Sequence, residues 1–274
     1  GSMLYFQATD NGTNGTELWK SDGTAAGTVM VKDIYPGSPS SYPKELTAVG
    51  STLYFQAYAE GGTELWKSDG TANGTVRVKD INPGSGGASS DPSNLTAVGS
   101  TLYFRANDGT NGFELWKSTG YETSTMMVKD INSGSFNGLG QSSELLELTV
   151  VGSTLYFWAN DGTNGNELWK SDGTNASTLM VKDIYSGSPG SYPLSLTAIG
   201  STLYFKAIDT TNNGYELWKS DGSSTGTVMV KDINSASGGH GDPQALTAVG
   251  STLYFRATDG INGYELWKAT TTTP

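Results

Sequence analysis

The chain contains no cysteine, so neither a disulfide framework nor a thiolate metal site holds it together, and its redox compartment cannot be read from thiols. Histidine is almost as scarce. The single His240 limits the acid–base and nucleophile-activating arrangements that imidazoles usually supply. Positive charge is short as well: 16 Lys and Arg against 27 Asp and Glu leave a net charge of −11, which repels a phosphate backbone and excludes nucleic acid as an expected partner. No apolar run approaches the roughly 20 residues of a membrane helix, so no membrane span is expected, and no secretory leader is visible. Against these absences stand 37 glycines, which alone would suggest disorder, and 7 Trp, 14 Tyr and 8 Phe, which supply far more apolar surface than disordered chains carry.

The aromatics are periodic. Leu-Tyr-Phe recurs at Leu4, Leu53, Leu102, Leu155, Leu203 and Leu253, and Glu-Leu-Trp-Lys begins at Glu17, Glu64, Glu114, Glu167, Glu216 and Glu265. The second series is spaced by 47, 50, 53, 49 and 49 residues, the period of propeller blades. One full unit reads as four short segments: Leu46 to Gly50, Thr52 to Ala57, Thr63 to Lys67 and Thr75 to Ile81. All are rich in β-branched and aromatic residues and bounded by Gly, Asn and Asp, as strands joined by hairpins are.

Alternation along a strand puts Glu64 and Trp66 on one face and Leu65 and Lys67 on the other, so both faces carry a large apolar group. A sheet apolar on both sides must be covered on both sides. Blades stacked around an axis do this, and the six recurring tryptophans, Trp19, Trp66, Trp116, Trp169, Trp218 and Trp267, are expected to dominate the blade contacts. The predicted fold is all-β, a β-propeller of four-stranded antiparallel blades. The second and third segments occur six times but the first and fourth only five, which favours six blades; five with overlapping ends is the alternative. A single domain is expected over residues 4–268, with a tail at 269–274. Residues 1–3, Gly-Ser-Met, have the look of a protease remnant before a start codon, so an engineered or excised origin is one expectation.

Glu17-Leu-Trp-Lys-Ser-Asp-Gly-Thr-Ala-Ala-Gly-Thr28 resembles the signature of the ELWxxDGT repeat proteins. It recurs at Glu64 and Glu216, and at Glu167 with Ser177 in place of the second Gly. The third copy departs from it, reading Ser118-Thr-Gly-Tyr-Glu-Thr-Ser-Thr125. The resemblance covers nearly the whole chain. It implies a repeat fold and an extracellular or surface location in bacteria, but no substrate or catalytic residue.

Several residues are candidates for chemistry. The Ser-Asp-Gly-Thr turns at Asp22, Asp69, Asp172 and Asp221 are similar to the Asp-box hairpins of sialidases, but Asp and Gly are also what such turns need, and a structural role is expected. Arginine is too sparse for a sialidase. Arg105 and Arg256 hold equivalent strand positions in different units, so they and Arg77 are not expected to converge, and no enzyme is expected. The turns beginning at Asp108, Asp161 and Asp259 offer oxygen ligands, for which calcium is the candidate metal, although each has one carboxylate where calcium takes six to eight oxygens. The recurring Lys-Asp pairs, such as Lys32-Asp33, read as strand-to-strand bridges, and His240 is expected to face solvent.

The connections between units are the places where a rigid scaffold usually carries recognition residues. Two hold paired tyrosines among Pro and Ser, Tyr35 with Tyr42 and Tyr185 with Tyr192. Aromatic faces among small polar groups suit a sugar ring, and the alternative is that these rings cover blade ends. The expected function is a binding or scaffold module, lectin-like if the tyrosines bind, with glycans or a protein surface as partners. A purely structural or engineered repeat without a ligand is the other reading. Unfilled strand positions in the first and last units expose backbone and invite self-association.

Overall fold

A computed structural model describes residues 3–10, 12–136, 138–210, 214–236 and 238–270. The repeats fold as six antiparallel sheets, in the order the chain presents them. The second sheet is the pattern: Lys44–Val49, Thr52–Ala59, Gly62–Ser68 and Val76–Lys79 form a four-stranded meander. The third (Ser93–Val98 to Met126–Lys129), fourth (Leu146–Val151 to Leu179–Lys182) and fifth (Leu194–Ile199 to Val228–Lys231) repeat it. The first sheet (Leu4–Thr9, Thr16–Ser21, Val29–Lys32) and the sixth (Gln244–Val249, Thr252–Thr258, Tyr264–Thr270) have three strands each. This is an all-β propeller of four-stranded antiparallel blades, with the six sheets favoured by the repeat count. Ala269 and Thr270, expected in the tail, extend the last strand opposite Leu253 and Thr252. Residues 1–2 and 271–274 lie outside the described ones.

The chain groups into two compact units: Gly1–Asp130 with Ser135–Gln141, and Ile131–Gly134 with Ser142–Pro274. Within each unit the two-sided strands explain the core. Register pairs Phe55 with Trp66 and Tyr54 with Lys67, so Leu53, Phe55, Ala57 and Trp66 share one face of the second sheet and Tyr54 and Leu65 the other. The first face packs on Leu18, Val31 and Ile34 of the first sheet, and the second face receives Leu102, Phe104, Ala106 and Trp116 of the third. The second unit repeats this: Tyr156 and Leu168 receive Leu203, Phe205 and Trp218, then Tyr204 and Leu217 receive Leu253 and Phe255.

Trp66, Trp116, Trp169 and Trp218 are buried, whereas Trp19 and Trp267 in the two three-stranded sheets are partly exposed. Lysines add polar links between sheets. Lys32, Lys79 and Lys182 donate to the carbonyls of Thr75, Thr125 and Thr227 in the next sheet at 2.7 to 2.9 Å.

Candidate functional site

The glutamate of the Glu-Leu-Trp-Lys segment does something the sequence did not disclose in all but the last sheet, where Glu265 is exposed. Glu17, Glu64, Glu114, Glu167 and Glu216 are fully buried, and the carboxylates of Glu17, Glu64, Glu167 and Glu216 hold the connection to the next sheet. Glu17 accepts Ile34 N–H at 2.9 Å, Ser41 N–H at 2.9 Å and the Ser41 hydroxyl at 2.5 Å. Glu167 does the same with Ile184 N–H, Tyr185 N–H, Ser191 N–H and the Ser191 hydroxyl. Burial pushes the Glu17, Glu64 and Glu216 carboxyls above their usual range against the pull of these donors, and takes Glu167 up to about 7. Each candidate tyrosine adjoins a pinned residue: Tyr35 follows Ile34, Tyr42 follows Ser41, Tyr185 follows Ile184 and Tyr192 follows Ser191.

In the first unit this geometry brings Tyr35 and Tyr42 to one cleft of about 550 Å³, lined also by Ser40, Lys44, Gln56, Tyr58, Thr63 and Asp91. Tyr42 has φ +46°, its N–H reaches the Thr16 carbonyl at 3.2 Å, and it is 56% exposed. Tyr35 meets Tyr58 edge-on, ring centres 5.4 Å apart. In the second unit Tyr192, at φ +47°, instead tilts against Trp158 at 5.9 Å.

Equivalent positions elsewhere carry other chemistry in the same backbone pose. Asp91 and Asp242 occupy the left-handed position of Tyr42, with φ +45° and +41°. At the position of Gln56, Arg105 stacks on Phe113 at 3.7 Å and Arg256 on Tyr264 at 3.8 Å. Lys206 lies over Tyr215 at 4.9 Å and bonds Asp242 at 2.9 Å. Burial lowers the Arg105 pKa, with Asp91 and Glu114 opposing that shift. Sequence reasoning missed Gln56, Tyr58, Trp158, Lys206, Tyr215 and Tyr264, and weighed Arg105 and Arg256 only as an arginine set for a sialidase. The signal that finds them is variation between repeats: Leu-Tyr-Phe and Glu-Leu-Trp-Lys are constant, whereas the residue after Phe reads Gln56, Arg105, Trp158, Lys206, Arg256, and the residue before Glu reads Thr63, Phe113, Asn166, Tyr215, Tyr264.

The other candidates have local partners. Asp22, Asp69 and Asp172 each accept the N–H and hydroxyl of the threonine two residues on, and Asp221 those of Ser223. The proposed metal ligands Asp108, Asp161 and Asp259 spend both carboxylate oxygens on their own turns: Asp108 takes Thr110 N–H, Asn111 N–H and Asn111 Nδ2, and the other two copy it. No group of three or more His, Asp or Glu side chains suited to a metal occurs among the described residues. The imidazole of His240 is exposed, as expected, yet also structural, its Nδ1 accepting Tyr215 N–H at 3.1 Å.

No family model matches the chain, and no curated protein matches it in sequence. Among solved structures, it is similar to a mutant of puromycin hydrolase complexed with PGG, with 14% identity and TM-score 0.55 over 99% of this chain and 42% of that one. A prolyl endopeptidase structure is similar at 14% identity and TM-score 0.52 over 100% and 42%. Oligopeptidase B from Leishmania major follows at 9% and 0.52 over 98% and 38%. The chain thus spans about two fifths of the length of each, and at these identities the likeness shows the fold alone.

Proposed function

We propose that this chain is a non-catalytic recognition module that binds glycans at the clefts between consecutive blades, as part of a secreted or surface protein. One observation carries the reading: the positions at which near-identical repeats differ supply Tyr42, Gln56, Tyr58, Thr63 and Asp91 of the cleft. A purely structural array has no need to diversify there while holding its core constant. Tyr35 and Tyr58, their rings inclined by 69°, offer faces to the C–H side of a sugar ring, and Gln56, Lys44 and Asp91 offer donors and acceptors to its hydroxyls. The non-catalytic part of the reading rests on the lone His240, whose Nδ1 is occupied by a backbone amide. Calcium is not part of it, since the turn aspartates already have their partners.

The test is a glycan array probed with the intact chain, followed by calorimetry on the best binder with wild type and Tyr42→Ala. Binding that weakens at least tenfold in the variant is expected. An array without a binder, with tyrosine fluorescence unchanged on sugar titration, would favour a spacer instead.

A further inference from the structure

The position after Leu-Tyr-Phe holds a cation on both the fifth and the sixth sheet, Lys206 and Arg256, and one chain of hydrogen bonds joins them. Lys206 Nζ donates to Asp242 Oδ1 at 2.9 Å, Gln244 Nε2 donates to Asp242 Oδ2, and Arg256 Nη1 donates to Gln244 Oε1 at 3.0 Å. The Tyr264 hydroxyl gives Asp242 a third donor, at 2.9 Å. Burial works against the charge, but these donors hold the Asp242 carboxyl below its ordinary range, so it stays ionised beside Lys206.

That carboxylate serves Lys206, and Arg256 has no acidic partner among the described residues. In a chain with 27 Asp and Glu against 16 Lys and Arg, opposite charge is plentiful, yet this guanidinium pairs with none of it. It is nevertheless held in place: its Cζ lies 3.8 Å from the centre of the Tyr264 ring, and Gln244 takes Nη1. Nε and Nη2 remain, the planar two-pronged edge whose geometry matches a carboxylate. Arg256 is exposed. The same strand position in the first unit differs, since Gln56 is uncharged and Arg105 is partly buried with Asp91 and Glu114 as its electrostatic partners.

We propose that the cleft between the fifth and sixth sheets is an acidic-sugar subsite, in which the carboxylate of a uronic acid residue seats on Nε and Nη2 of Arg256. The inference rests on the glycan-recognition reading above and names the sugar class for this cleft. Lys206, Asp242 and Arg256 together leave one positive charge there, with both cations steadied by tyrosine rings, Lys206 over Tyr215 at 4.9 Å. The net −11 of the chain does not override it, because charges more than about 8 Å away are largely screened at physiological salt. Distant acids slow the approach of an anion, and the local charge decides the contact. A guanidinium already fixed by stacking loses little freedom when it binds.

Calorimetric titration of the 274-residue chain with hexagalacturonate, its fully methyl-esterified form and a glutamate hexamer tests this. The chains compared are wild type, Arg256→Gln, Tyr42→Ala and a charge-matched control, Arg77→Gln. Arg77 and Arg256 are both exposed, and circular dichroism verifies folding. Hexagalacturonate is expected to bind wild type, Tyr42→Ala and Arg77→Gln alike, and Arg256→Gln about tenfold or more weakly, the loss of a charge-assisted pair. The ester and the glutamate hexamer should bind wild type about tenfold or more weakly than the acid sugar. An ester or peptide that binds as tightly, an undiminished affinity in Arg256→Gln, or a loss in Tyr42→Ala or Arg77→Gln instead overturns the proposal. Hexagalacturonate that does not bind, while a neutral glycan still binds through Tyr42, overturns the acidic-sugar assignment alone. Failure of every saccharide overturns it together with the recognition reading.

Discussion

Replacing Glu167 tests how the binding loops are held. Its two oxygens take four donors: Ile184 N–H at 3.0 Å, Tyr185 N–H at 3.0 Å, Ser191 N–H at 2.9 Å and the Ser191 hydroxyl at 2.6 Å. Glu167→Ala strands two buried amides and one partly buried one, and at about 1–3 kcal/mol for each unsatisfied buried donor the loss should be at least ~2 kcal/mol. Glu167→Gln keeps one acceptor oxygen and turns an NH2 toward the remaining donors. The serine hydroxyl can rotate to accept, leaving one amide unpaired, at about 1–3 kcal/mol. Protonation adds a second readout. The folded-state pKa of about 7 lies above the ordinary 4.5, so this carboxyl contributes stability that is fully present below pH 4.5 and is lost as pH rises through 7. Between pH 5 and pH 8 the loss is roughly 2–3 kcal/mol, at about 1.4 kcal/mol per unit. Gln does not titrate, so in urea titrations at the two pH values the margin of wild type over Glu167→Gln should be larger at pH 5. A margin that grows toward pH 8 would mean that the four donors outweigh burial, and the reasoning would fail.

Truncating the fully buried Phe104 to Ala should cost about 3–5 kcal/mol in the same titration, since its ring fills the contact between the second and third sheets. Tyr42→Ala, at an exposed position, should change stability by no more than ~0.5 kcal/mol while removing glycan affinity; a large stability loss would mark the ring as a blade cover. Gly70→Ala should lower the melting temperature more than Gly23→Ala, because both have a positive φ but only Gly70 is approached by a tyrosine hydroxyl, that of Tyr5; equal losses would leave backbone strain as the whole effect. Calcium and EDTA should leave the melting temperature unchanged, as Asp108, Asp161 and Asp259 already hold their own turns, and a calcium-dependent rise would reopen the metal reading.

The sheets were legible because periodicity and strand alternation are local. Leu53-Tyr54-Phe55 and Leu65-Trp66 place apolar groups on both faces without reference to anything distant, and the stacking follows. The role of Glu64 was not legible, because its partners Ile81 and Ser90 lie 17 and 26 residues away and only folding brings their amides to it. A glutamate at a repeated strand position reads as a surface charge or a ligand unless those amides are seen. Tyr35 and Tyr42 stood out as aromatics in a loop, whereas Gln56 and Lys206 were hidden inside strands whose neighbours never change. Comparing the repeats with one another, rather than scanning for motifs, exposes that position.

A recognition module of this kind meets its ligand at the positions that vary between repeats. Backbone and side-chain NMR shifts recorded while the best array glycan is titrated into the intact chain test this most directly. Perturbations should gather on Tyr42, Gln56 and Tyr58 and spare Trp66 and the Asp69 turn. Shifts centred on the constant Asp69 and Asp172 turns, with the cleft residues unmoved, would contradict it.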